Sequence, residues 1–101
     1  MSDTITKSGA KDDAKVERPR LHKVILVNDD LTPSEFVVIA IKAKFRVNSE
    51  RTQRIMMTAH GRGACVVAVY TKDVAAANAT SAADAGRQKG YPLLFTTEPD
   101  E

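Results

Sequence analysis

Polar residues dominate the first eighteen positions, and the first dense apolar run, Val24-Ile25-Leu26-Val27, stops abruptly at Asn28-Asp29-Asp30. Consecutive aliphatics, most of them β-branched, predict a short buried strand over Leu21–Val27, and the Asn-Asp-Asp cluster predicts its end. Thr32 reads as a helix N-cap, with Pro33 at the first helical position and Glu35 closing a capping box. Phe36, Val37, Ala40, Ile41 and Lys44 then recur at helical spacing, so a first helix to about Lys44 is predicted, its inward face widened by Val38 and Ile39. Asn48 or Ser49 caps a second helix to about His60, with Ile55, Met56 and Ala59 on one side and Gly61-Arg62-Gly63 as its stop. Ala64–Tyr70 reads as a second strand. Thr71 and Asp73 open an alanine-rich third helix with a weak apolar face, Gly90 ends it, and Pro92–Thr97 reads as the last strand.

The order β-α-α-β-α-β contains no internal repeat. With three short strands and helices to cover them, it predicts an α+β fold: one compact α/β sandwich, a three-stranded antiparallel sheet covered by helices. Residues 1–19 read as a flexible N-terminal extension, because Ile5 and Val16 are their only branched apolar residues and such a segment cannot bury enough surface to offset its ordering entropy. Residues 20–98 form the expected domain, and 99–101 a short acidic end.

Composition narrows the function classes. The 15 basic and 13 acidic residues are spread along the chain and leave a formal net charge of +2. That is no electrostatic footprint for nucleic acid, and no aromatic residue sits in a Lys/Arg-interleaved motif. A single cysteine excludes an intramolecular disulfide framework and a cysteine-rich zinc site. The apolar stretches are far shorter than the roughly 18 residues of a membrane span, and no apolar signal-peptide core opens the chain, so a cytoplasmic protein without membrane contact is expected.

The candidate chemistry centres on Asn28, Asp29 and Asp30. As structural residues they form a turn whose side chains bond the backbone and whose charge complements the next helix dipole. As a site, an Asn carbonyl beside an Asp carboxylate suits an ammonium group, which offers three donors and a charge. His60, four residues after Met56, stands at the rim of an apolar patch; it either complements its helix C-terminus or joins the Asn28 corner around a small cationic ligand. Val37, Met56 and Leu93 fall on inward faces, as core or as pocket lining where they meet polar groups. Cys65, inside an apolar strand, reads as a small packed hydrophobe rather than a nucleophile. His22, Asp29, Asp30 and His60 match no compact metal-ligand spacing, and Gly61-Arg62-Gly63 is too short for a phosphate loop. No cofactor or metal is expected.

Lys23 to Asp30, Thr32-Pro33, Glu35-Phe36-Val37, Glu50-Arg51, Met56, Ala59-His60, Gly63 and Pro92-Leu93-Leu94 together resemble the ClpS family, adaptors of the bacterial Clp protease. The resemblance spans about Leu21 to Thr97. It implies a non-enzymatic adaptor that binds N-degrons, proteins whose first residue is Leu, Phe, Tyr or Trp, and hands them to the N-terminal domain of a ClpA-type AAA+ unfoldase. By resemblance, Asn28, Asp29 and His60 hold the free α-amino group, and Asn28 also binds the first peptide bond. Asp30, Thr32, Ser34, Val37, Met56, Ala59 and Leu93 shape the side-chain pocket, and Asp73 contacts the unfoldase. An α-amino group, with pKa about 7.7–8.0, is mostly charged at neutral pH, and acetylation removes charge and donors together.

Three positions depart from the family pattern. Ser34 stands where relatives often carry Met at the pocket mouth, and Ala59 where some carry Val, which implies a roomier pocket. Asn78 replaces a lysine of the docking helix. The alternative function is a regulatory module that docks on a Clp ATPase and modulates substrate choice without binding N-degrons. A ubiquitin ligase, another host of this domain type, is excluded by the absence of RING-like cysteines.

Overall fold

The computed structural model describes residues 18–100. The expected N-terminal extension and Glu101 therefore lie outside the described residues, except for Arg18 and Pro19, which are exposed and precede regular structure. Strand β1 (Leu21–Val27) is followed by helices α1 (Ser34–Phe45) and α2 (Ser49–Arg62), strand β2 (Ala64–Thr71), helix α3 (Lys72–Gln88) and strand β3 (Leu94–Pro99). The sheet is antiparallel, in the order β2-β1-β3. The β-α-α-β-α-β order and the three-stranded antiparallel sheet are those expected from sequence. No helix among the described residues is long and apolar enough to cross a membrane.

The topology itself selects one end of the sheet. Val27, the last residue of β1, pairs with Ala64 at the start of β2 and with Leu94 at the start of β3. Asn28, Gly63 and Leu93, each one residue beyond that row, are therefore brought together although they are far apart in sequence.

A bulge helps to fasten α2 to the sheet. Val24 pairs with Ala68 but Ile25 pairs with Val66, so Val67 has no opposite residue. Its side chain is fully buried, and its carbonyl accepts a hydrogen bond from the Arg51 guanidinium on α2 at 3.1 Å. At the start of α2 the Asn48 side chain accepts the Arg51 N–H at 2.8 Å, as an N-cap should, and the buried Thr52 hydroxyl donates to the Asn48 carbonyl at 2.7 Å.

Phe45 is the aromatic hub of the core, its ring 5.2 Å from that of Phe95 and 6.5 Å from that of Tyr70. Each such pair adds about 0.5–1.5 kcal/mol beyond the area it buries. On α3 the buried residues are Ala75, Ala79, Ala82 and Gly86, a row of small side chains that lets this helix lie close to what it covers. A weak apolar moment in the sequence thus reflects close packing rather than a short helix.

Several local expectations are corrected. Thr32 is not the N-cap of α1: the helix begins at Ser34, Pro33 occupies the cap position without a side-chain bond, and the Pro33 carbonyl accepts from Phe36 and Val37. The Thr32 hydroxyl is taken by Asp29 instead. Lys44 is exposed, and Phe45, the next residue, closes the inward face; Ile39 is also exposed. Helix α2 runs through Gly61 and stops at Gly63, whose φ of 90° requires the left-handed region. The last strand is offset by two residues from Pro92–Thr97, because its pairing with β1 continues to His22↔Pro99 and the Asp100 N–H donates to the Leu21 carbonyl.

Candidate functional site

Asp29 organises the turn after β1. Its Oδ1 accepts the backbone N–H groups of Leu31 at 2.8 Å and Thr32 at 2.7 Å, and its Oδ2 accepts the Thr32 hydroxyl at 3.0 Å. The chain is thereby folded back on the carboxylate in an Asx-type turn. A carboxylate has about four acceptor positions, so three bonds leave Asp29 its charge and room for one more donor. Next to it, the Asn28 N–H donates to the Gly63 carbonyl at 2.9 Å, which ties the turn to the last turn of α2. His60 lies three residues before Gly63 and is exposed on that last turn.

Two adjoining hollows result. The inner one is walled by Leu26, Val27, Val37, Ala59 and Leu93, with Met56 at its side and Asn28, Asp29, Thr32 and Ser34 at its polar end. It has about 40 Å³ of free volume. The outer one, about 350 Å³, shares Asn28, Asp29, Thr32, Ser34 and Met56 and adds Asp30, Met57 and His60. Larger, open grooves run along α3 beside Lys44 and near the start of β1. Those have no comparable meeting of apolar walls with convergent polar groups, and that meeting, not volume, marks a binding site.

Every residue expected at the amino-group site or the side-chain pocket lines one of these two hollows: Asn28, Asp29, Asp30, Thr32, Ser34, Val37, Met56, Ala59, His60 and Leu93. Asp73 lies apart, exposed in the first turn of α3. Asn78 is half-buried further along that helix. Cys65 lines neither hollow; its thiol approaches the Val66 carbonyl at 3.4 Å. Among the described residues, the Asn28 side-chain amide and the His60 ring make no hydrogen bond, so both retain their full bonding capacity for a ligand. Leu26, Val27 and Met57 were not singled out in the sequence. The first two belong to β1, where a continuous aliphatic run gives them strand roles only, and Met57 reads as a surface residue.

The arrangement suits a small cation carried next to an apolar group: charge from Asp29, acceptors on Asn28 and His60, and a slot with apolar walls beside Met56. A family model described as "ATP-dependent Clp protease adaptor protein ClpS" matches residues 17–96. The chain belongs to the ClpS family. It is 60% identical to the ATP-dependent Clp protease adapter protein ClpS 1 of Bradyrhizobium diazoefficiens over 101 residues, the whole of both chains. It is 64% identical to the ClpS 1 protein of Rhodopseudomonas palustris over 95 residues, covering 94% of this chain and 92% of that one. Among solved structures, Agrobacterium tumefaciens ClpS2 bound to L-phenylalaninamide superposes with a TM-score of 0.79 at 51% identity, covering 82% of this chain and all of the other. The three-helix, three-stranded architecture is thus that of a ClpS adaptor of the Clp protease.

Proposed function

We propose that this ClpS-family chain captures N-degrons by their free α-amino group and first side chain and delivers them to a ClpA-type unfoldase. The observation that carries the reading is the meeting of Asn28, Asp29 and His60 with an apolar slot closed by Leu93, in a chain similar to a protein solved with L-phenylalaninamide. That ligand has a free amine, an aromatic side chain and an amide in place of the first peptide bond. In the proposed complex Asn28 and His60 accept from the ammonium group while Asp29 supplies charge. The Asn28 amide also bonds the first peptide unit, and the side chain enters between Val37, Ala59 and Leu93.

The slot as it stands is narrow, with about 40 Å³ of free volume, so a bulky side chain enters as lining residues yield. Met56, half-buried and flexible, is the residue suited to do so, and Ser34 presents little bulk at the mouth. Ser34 and Ala59 favour a slot tolerant of Leu, Phe, Tyr and Trp alike. Substrate unfolding and cleavage are left to the partner, which is proposed to meet Asp73 and Asn78 on α3, with the N-terminal segment as a further tether.

Fluorescence anisotropy with three labelled peptides tests the proposal: one beginning with Phe, the same peptide N-acetylated, and one beginning with Ser. Binding of the first alone is the expected result. Equal binding of free and acetylated peptides, or binding of none while the protein still associates with a Clp ATPase, would transfer the function to the docking regulator.

A further inference from the structure

The floor of the slot is set from behind by a residue that does not line it. Gly86 lies in the last turns of α3 and is buried against Leu93. A Cβ built on Gly86 would stand 2.7 Å from the Leu93 Cβ, 3.3 Å from its Cδ2 and 3.6 Å from its Cγ. Its backbone does not occupy the left-handed region that favours glycine, so conformational freedom does not account for it, and glycine is a poorer helix former than alanine. What glycine supplies here is space.

The contact cannot be relieved by a change of rotamer. The nearest atom is the Leu93 Cβ, which moves only with the backbone, and ordinary carbon contacts lie at about 3.5–4.0 Å. The backbone around Leu93 is held: the Tyr91 N–H donates to the Gly86 carbonyl at 2.9 Å, the Tyr91 ring meets the Phe36 ring edge-on at 5.1 Å, and Leu94 pairs with Val27. Leu93 itself is buried, touching Gly86 on one side and the slot on the other. A methyl group at position 86 therefore displaces Leu93 towards the slot.

We propose that Gly86 is a specificity-determining positioning residue: by carrying no side chain it lets Leu93 seat against α3, and this sets the depth available to the first residue of an N-degron. The inference rests on the N-degron reading of the slot. It assigns to Gly86 an effect on which first residues fit, exerted through Leu93 and without contact to the peptide.

The test compares affinities for otherwise identical peptides beginning with Phe, Trp and Leu, with the N-acetylated Phe peptide as control, across the wild type, Gly86→Ala and Gly86→Ala/Leu93→Ala. A methylene in an apolar pocket discriminates by about tenfold or more. Gly86→Ala is expected to weaken the Phe and Trp peptides by about that factor and the Leu peptide distinctly less, changing the ratio rather than all three together. In the double variant, shortening Leu93 returns depth to the slot, and Phe and Trp binding is expected to recover relative to Leu. A purely structural role for Gly86 predicts no such recovery, since Leu93→Ala keeps the Cβ that the new methyl group meets and adds a core truncation to the strain. Should Gly86→Ala fail to fold, Leu93→Ala alone carries the comparison: it is expected to move the ratio towards Trp, and no movement overturns the proposal. Equal loss for every peptide, or an unmoved ratio in folded Gly86→Ala, also overturns it while leaving N-degron capture intact. A wild type that binds none of the peptides overturns both.

Discussion

Asn28 donates its backbone N–H to the carbonyl of Gly63 at 2.9 Å, joining the turn after β1 to the end of α2. Gly63 also ends α2 with φ at 90°, and nothing stands within 4 Å of where its Cβ would be. Gly63→Ala therefore costs stability through backbone strain and not through a clash, about 1 kcal/mol. Urea denaturation is expected to show that loss, with weaker binding of a Phe-initiated peptide, because His60 and Asn28 are held in register by the same residue.

Asp29 has two separable roles. Asp29→Ala leaves two backbone N–H groups and the Thr32 hydroxyl without their acceptor, at a cost of about 2–3 kcal/mol. Asp29→Asn keeps one carbonyl oxygen for the N–H groups and is expected to cost about 1 kcal/mol while removing the charge. Denaturation and peptide binding measured side by side should find Asn the better tolerated by the fold, with free-amine binding impaired in both.

His60 is exposed and carries no bond on which the fold depends. His60→Ala should change stability by less than about 0.5 kcal/mol. Affinity for the Phe-initiated peptide should fall by about tenfold or more, the value of one hydrogen bond to a charged group. A thermal scan of the same sample separates this loss from unfolding.

Phe45 is the opposite case. Its ring meets both Phe95 and Tyr70 and is 5% exposed. Phe45→Ala should cost about 3–5 kcal/mol, a large part of the 5–15 kcal/mol that holds a typical domain together. Circular dichroism during denaturation would show a midpoint far below that of the His60 variant.

The sheet was legible because Val24 to Val27 and Ala64 to Tyr70 leave strands as their only good use, and the helices because Asn48 and Gly63 punctuate them. The Thr32 misreading has a physical basis: a threonine between Asp29 and Pro33-Ser34-Glu35 suits a helix cap and an Asx turn equally, and only the folded chain shows which acceptor it meets. Lys44 and Phe45 illustrate the drift of a helical face by one residue, which spacing alone does not resolve. That Asn28, Asp29 and His60 line the two hollows could be anticipated because they are residue types that need partners. Leu26 and Val27 could not, since a residue that lines a slot looks like any other strand residue. Gly86 left only a faint trace, a glycine inside a run otherwise well suited to a helix; the closeness of Leu93 is a tertiary fact.

Capture of a free amine at the Asn28 corner is tested by an amide-resolved NMR titration of the full chain with L-phenylalaninamide and, in parallel, with its N-acetyl derivative. Saturable shifts at Asn28, Thr32, Met56, Ala59, His60 and Leu93 with the free amine, and none with the acetylated compound, are the predicted result. Shifts confined to α3, or the same response to both compounds, would contradict it.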